Sequence, residues 1–301
     1  MIAEWSAADA AAQLRIPVET DDKYQRGVLG VRTGAAQFPG AAVLGVSAAW
    51  RTGVGMVRYV PPVDEGPAPY GLPSPAVAVL AARPETVIGP PPGRPCDAWL
   101  IGSGTDPALR SPAETHELRT LLAGSAPVVV DAGALDLVHE ERGDDAPLIL
   151  TPHGGEFERL WQASELGALP DGWDPRTPDS ELRASLAGRL ADALGATVLL
   201  KGSVTVVASP GGFRRRIGPA TPWLASAGTG DVLAGILGAL VASRAEEVGQ
   251  DPELLAQLGA TAALLHDSAA RIASEGTRPI TALDVAESTP AAFAALTAAV
   301  V

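Results

Sequence analysis

Cysteine is nearly missing: Cys96 stands alone in 301 residues, which excludes an internal disulfide and any cysteine-based zinc cluster and fits a reducing compartment. Positive charge is also short, with 22 Lys and Arg against 35 Asp and Glu and a net charge of −13. Non-specific binding to nucleic acid takes most of its affinity from Lys and Arg on phosphates, so that function class is excluded. With so acidic a balance an anionic ligand would have to be met by local positive features; Lys23 and Lys201 are the only lysines. Aromatic residues make up only 4%. The longest apolar run, Val232 to Ala242, falls far below the roughly 20 residues that a membrane span takes. The N-terminal stretch from Met1 to Leu14 has no basic lead and carries Glu4 and Asp9, so it reads as a short amphipathic helix and not as a signal peptide. No internal repeat and no long linker divides the chain. These absences lead us to expect a cytoplasmic protein of one domain, residues 1–301, with no membrane or nucleic-acid partner.

What is present is ample core material, 47% apolar, arranged as short β-rich runs alternating with helices. Strands are expected at Val28 to Val31, Met56 to Val60, Thr86 to Ile88, Asp97 to Ile101, Pro127 to Val130, Pro147 to Leu150 and Thr197 to Leu200. The runs Val204 to Ala208 and Phe213 to Ile217, joined by Ser209-Pro210-Gly211-Gly212, read as an antiparallel hairpin. Helices are expected at Ala41 to Trp50, Ala76 to Arg83, Ala113 to Leu122, Glu156 to Trp161, Glu181 to Leu194, Asp231 to Ser243, Pro252 to Glu275 and Leu283 to Thr297. Pro61 to Pro75 and the acidic Gly167 to Asp179 read as loops. The alternation predicts an α/β fold: a doubly wound, mainly parallel sheet flanked by helices on both faces, with ligands beyond the carboxyl ends of the strands.

Four polar clusters fall at those ends. The first and strongest is Gly228-Thr229-Gly230-Asp231, which opens an apolar helix and turns free N–H groups and the positive end of the helix dipole toward one spot. Such a spot is an anion hole suited to phosphoryl transfer, and Asp231 at its mouth could deprotonate an attacking hydroxyl. A plain glycine turn with Asp231 capping the helix is the competing local reading. Lys201 ends a buried strand at the ligand edge, where it either serves function or snorkels to water. Gly102-Ser103-Gly104 brings backbone close to a ligand or makes a tight turn. His153 and Glu156 share a strand-to-helix junction. Four histidines and one cysteine offer no zinc set, so Glu156 suits a water-mediated Mg²⁺ contact or simply the helix dipole. His116, His139 and His266 read as surface or helix-packing residues, and Trp99 and Trp161 as core.

Together the motifs resemble the ADP/ATP-dependent NAD(P)H-hydrate dehydratases, a branch of the ribokinase-like superfamily. The resemblance runs from Lys23 to Ala295. It rests on Phe38-Pro39-Gly40-Ala41-Ala42-Val43-Leu44, Arg51-Thr52-Gly53-Val54-Gly55-Met56-Val57, Leu150-Thr151-Pro152-His153 with Gly155-Glu156, Leu200-Lys201-Gly202 with Thr205, and Ala227 to Leu233. It implies that ADP or ATP phosphorylates the ring hydroxyl of hydrated NADH or NADPH (NADHX or NADPHX), and that departure of phosphate restores the dihydropyridine. Asp231 would then be the base and Gly228, Thr229 and Gly230 the hole. Ala41, Gly102, Gly104, His153 and Asp231 would line the hydrate pocket. Lys201, Gly202, Ser203, Val204, Thr205 and Gly230 would hold the nucleotide, with Glu156 on Mg²⁺ through water. It further implies a homo-oligomer, often a tetramer, and a separate epimerase, since the chain has room only for the dehydratase half.

Three stretches depart from the family pattern. Gly102-Ser103-Gly104-Thr105-Asp106 replaces Gly-Pro-Gly-Leu-Gly, Asp131-Ala132-Gly133-Ala134-Leu135 replaces Asp-Ala-Asp-Ala-Leu, and Gly154 replaces a common Pro. The competing functions are a kinase of a vitamin-precursor alcohol, of the hydroxymethylpyrimidine or hydroxyethylthiazole type, that keeps its phosphorylated product, and a non-catalytic nucleotide-binding protein.

Overall fold

A capping box between Ser6 and Asp9 starts the first helix, α1 (Ala7–Gln13), and the chain then enters the sheet through β1 (Val28–Arg32). Helix α2 (Pro39–Thr52) has Pro at its start and a left-handed Gly53 at its end, the asymmetry that suits helix termini. It returns the chain to β2 (Met56–Tyr59), parallel to β1 with Val28 opposite Met56. The computed structural model describes residues 2–63, 68–139, 146–176 and 179–298. Met1 of the expected first helix, residues 64–67 and 177–178 of the two expected loops, and 299–301 lie outside the described residues.

The same crossover recurs down the chain. Helix α3 (Pro75–Ala82) leads to β3 (Val87–Ile88), then β4 (Ala98–Ile101), α4 (Pro112–Leu122), β5 (Val128–Val130) and β6 (Leu148–Leu150). Helices α5 (Gly154–Ala163) and α6 (Ser180–Leu194) precede β7 (Thr197–Leu200) and the hairpin β8 (Thr205–Ala208) and β9 (Arg214–Ile217). Four helices finish the chain: α7 (Thr229–Ser243), α8 (Ala245–Gln250), α9 (Glu253–Ser274) and α10 (Ala282–Ala298). The nine strands form one sheet in the order β3-β2-β1-β4-β5-β6-β7-β8-β9. Pairing is parallel from β3 to β7 and antiparallel from β7 to β9.

Alternation along the central strands divides the interior in two. Val129, Ile149, Leu199 and Val207 point into a core roofed by α2, α7, α9 and α10. Their neighbours Val128, Val130, Leu148, Leu150, Val198, Leu200 and Val206 point into the opposite core beneath α4, α5 and α6. Both faces are covered, so these strands read as continuous apolar runs. The expected doubly wound sheet is therefore present.

Among the features not expected are α8 and the 3-10 turns of Ala132–His139 that follow β5. Neither carries a hydrophobic period long enough to be read from sequence. Helix α7 begins two residues before the expected Asp231, because Gly228, with φ of +87°, is the residue that turns into it.

Candidate active site

The loops after β4, β5, β6 and β7 gather around one ion pair. Lys201 Nζ donates to Asp131 Oδ1 at 2.8 Å and lies 3.9 Å from Glu156 Oε2. Asp131, the residue that follows β5, also accepts from Thr151 Oγ1 at 2.7 Å and Ser103 Oγ at 2.8 Å. Burial opposes both charges, yet the Asp131–Lys201 pairing and the hydroxyl donors outweigh it. The Asp131 carboxyl is held below its ordinary value and the Lys201 ammonium above its own. Both stay ionised at neutral pH. Lys201 does not simply snorkel to water, because its head is held by carboxylates.

Asp231 faces this pair from the other side. It is the third residue of α7 and makes no capping bond, so the capping reading falls: Gly228 occupies the cap position. Burial first, and then the Asp131 charge, push the Asp231 carboxyl up to about 6, while Lys201 pulls it down. Such a group is largely ionised at neutral pH yet basic enough to take a proton, the condition of an effective general base. Among the described residues the N–H groups of Gly230 and Asp231 have no hydrogen-bond partner, as expected for the first turn of a helix. Thr229 departs from the expected role: its N–H is already bonded to Ser226 O at 3.4 Å, and its hydroxyl sits on the Leu224 and Ser226 carbonyls. Thr229 braces the turn, which leaves the N–H groups of the two residues after it free. A Cβ on Gly230 would sit 3.7 Å from Lys201 Nζ, so hole and ammonium share one crevice.

His153 and Glu156 form a reciprocal capping box at the start of α5. His153 Nδ1 accepts from the N–H groups of Gly155 and Glu156, and Glu156 Oε2 accepts from His153 N at 2.8 Å. The dipole role and the site role of Glu156 therefore coexist. His153 is exposed and lines a cavity that Lys201 also borders.

The remaining candidates divide. Gly104 and Ala41 are pressed together, since a Cβ on Gly104 would collide with that of Ala41. The Gly34 and Ala35 N–H groups zip the adjoining loop to the Ser103 and Gly104 carbonyls. Gly102, with φ of +94°, packs against the Asp131 carbonyl and Ala134; its small size serves the turn. Gly133 leaves room for Thr105, whose backbone and hydroxyl fill the place of a side chain there. The two departures from the resembled pattern thus compensate each other sterically. Gly154 likewise admits Pro175 from the acidic loop.

Two cavities flank the cluster. One of about 610 Å³ is lined by Lys201, Gly202, Ser203, Thr205, Gly230 and His153, bringing most of the expected nucleotide residues together. Val204 is buried behind them. The other, about 530 Å³, opens between Phe38, Thr105, Gly133, Glu156 and Arg159.

Two residues of this neighbourhood were not foreseen. Asp131 carried a readable signal, since it follows a buried strand at the same edge as Lys201. His266 carried none: a lone histidine on an apolar helix looks like packing. It is 7% exposed, its Nε2 has no hydrogen-bond partner, and burial brings it down to about 4, neutral beneath the start of α7.

Comparison with known proteins agrees with this geometry. The family model for NAD(P)H-hydrate dehydratase matches residues 29–290. The bifunctional NAD(P)H-hydrate repair enzyme Nnr of Mycobacterium tuberculosis H37Rv is 40% identical over 246 residues, covering 79% of this chain and 46% of the relative. Nnr of Corynebacterium glutamicum is 35% identical over 299 residues, covering 92% and 49%. The chain thus spans about half the length of the curated relatives it matches. The Bacillus subtilis ADP/ATP-dependent NAD(P)H-hydrate dehydratase co-crystallised with ATP/Mg²⁺ superposes with a TM-score of 0.77 at 24% identity, over 98% of this chain and 99% of that one, a likeness of fold. A carboxylate, an ammonium and a glycine-opened helix meet at one sheet edge, and the family model covers nearly all of the sheet that holds them: the chain belongs to the NAD(P)H-hydrate dehydratase family.

Proposed function

We propose that this chain dehydrates the S-form of NADHX or NADPHX to NADH or NADPH at the expense of ADP or ATP. The observation that carries the reading is Asp231, poised at about 6 beside two free helix N–H groups and the Lys201 ammonium. Asp231 takes the proton of the hydrate's ring hydroxyl as its oxygen attacks the terminal phosphorus. The bridging P–O bond breaks, and Lys201 with the Gly230 and Asp231 N–H groups faces the charge that spreads over the phosphoryl oxygens. Hydroxide has become phosphate, a better leaving group. The ring nitrogen then pushes electrons, phosphate departs, and the adjacent carbon loses a proton to restore the dihydropyridine.

Among the described residues no group of three or more His, Cys, Asp or Glu could hold a metal by itself. Mg²⁺ suits such a site, since it keeps its waters and takes phosphate oxygens with one or two carboxylates. Glu156 is the carboxylate that would reach it through water, and the bound ion would neutralise phosphate charge. We further propose a cytoplasmic homotetramer that works with an epimerase. The test is to incubate the purified protein with NADHX, Mg²⁺ and either ADP or ATP and follow the reduced-nicotinamide absorbance. Recovery with one nucleotide is expected. Consumption of nucleotide with a phosphorylated alcohol accumulating would favour the kinase reading, and no recovery with either nucleotide overturns the dehydratase.

A further inference from the structure

Arg183 on α6 is 1% exposed, and among the described residues no carboxylate pairs with it. Arg32, equally hidden, is forked onto Glu114. A buried guanidinium without a counter-ion is costly and calls for another source of compensation. Here that source is backbone: Nη2 donates to Leu200 O at 3.2 Å and Lys201 O at 2.9 Å, and Nε has no partner. Trp173 lies against the guanidinium, with 6.0 Å between Cζ and the ring centroid. Burial lowers the group to about 10, so it remains charged at neutral pH.

The consequence follows from the planarity of the peptide. In a trans peptide the C=O and the following N–H point in opposite directions. The Leu200 carbonyl faces Arg183, and the N–H of Lys201 on its far side donates to Pro152 O at 2.8 Å. The Lys201 carbonyl also faces Arg183, which turns the Gly202 N–H away from it. That N–H has no partner among the described residues, and Gly202 lines the 610 Å³ cavity. The guanidinium stands directly behind it, since a Cβ on Gly202 would come within 2.7 Å of Nη2.

We infer that Arg183 is a positioning residue of the nucleotide site: it holds the Leu200 and Lys201 carbonyls so that the Gly202 N–H is presented to the nucleotide, and it sets an unneutralised positive charge behind the loop that the anion meets. This deepens the proposed function and rests on it for the identity of the nucleotide.

Two readouts test it on the purified chain: calorimetric binding of ADP, and steady-state KM values for nucleotide and hydrate. Arg183→Met is expected to weaken ADP binding, and raise the nucleotide KM, by about tenfold or more, the scale of a lost hydrogen bond to a charged group, while the KM for the hydrate holds. Arg183→Lys, which keeps the charge and reaches one carbonyl, recovers part of the loss. ADP binding unchanged in Arg183→Met, or both KM values rising together, overturns the inference. If Arg183→Met does not fold, Arg183→Lys decides: ADP bound at least about threefold more weakly supports the role, and unchanged affinity ends it. Wild-type protein that binds ADP but restores no dihydropyridine would sink the dehydratase reading and leave the Arg183 result standing. Wild type that binds neither ADP nor ATP sinks both.

Discussion

At the scale of single residues, Asp231 is the group on which stability and activity pull apart. Its folded value of about 6 lies above the ordinary 3.8, so the fold favours the acid form. The contribution of Asp231 to stability is full below about pH 4 and is lost as pH rises through about 6. Asp231→Asn should therefore raise the Tm at pH 8, leave it unchanged at pH 4, and lower kcat/KM by at least ~10²-fold. In wild type, kcat/KM should fall as pH drops below about 6, since the base is then protonated. A lower Tm for Asp231→Asn at pH 8 would contradict this account of the site. Lys201 works in the opposite sense. Lys201→Met leaves Asp131 and Glu156 facing each other without a cation, and urea denaturation should show a loss of about 3–5 kcal/mol. Adding Asp131→Asn to that variant should return part of it. Gly133→Asp, which would restore the resembled acid, should destabilise the chain because Thr105 holds the space.

At the scale of elements, the site depends on how closely α7 approaches its neighbours. A Cβ on Gly235 would strike the Gly45 carbonyl, so α2 and α7 cross with backbone against backbone. Gly235→Ala should cost about 1–3 kcal/mol by overpacking and shift the start of α7, lowering kcat more than a surface Ala would. A variant with unchanged Tm and kcat would show that the crossing gives way elsewhere. Helix α5 shows a different economy, because His153 and Glu156 cap it with the same groups that face the cleft. Helix α6 sends Arg183 under the β7–β8 loop, so one helix supports the strand ends from behind.

At the scale of the whole molecule, the interior beneath the cleft holds a titratable imidazole. His266 lies at about 4 in the folded chain against an ordinary 6.5, with Lys201 adding to the effect of burial. Below about pH 6.5 the unfolded chain binds a proton that the folded chain does not, so stability is lost as pH falls from about 6.5 to about 4. His266→Gln should flatten the Tm profile across that range. A profile of the same slope would place the acid sensitivity in other groups. Among the described residues no helix is long and apolar enough to cross a membrane.

The doubly wound sheet was legible in the chain itself, because strands buried on both faces read as unbroken apolar runs and each crossover helix opens or closes on Pro, Gly, Ser or Asp. The clusters at Lys201, Asp231 and His153–Glu156 were legible as well, since each sets polar residues against an apolar run, after a strand for Lys201 and His153–Glu156 and at the opening of a helix for Asp231. Local sequence did not disclose that Asp131 and Lys201 meet, that Thr229 braces the turn while the Gly230 and Asp231 N–H groups stay free, or that Arg183 and His266 stand behind the cleft. Those facts depend on burial and, for the charged groups, on partners 17 to 100 residues away along the chain. Apolar periodicity and turn chemistry are written locally and choose the elements, whereas a pKa or the direction of an N–H depends on which groups the packed sheet brings within a few ångströms.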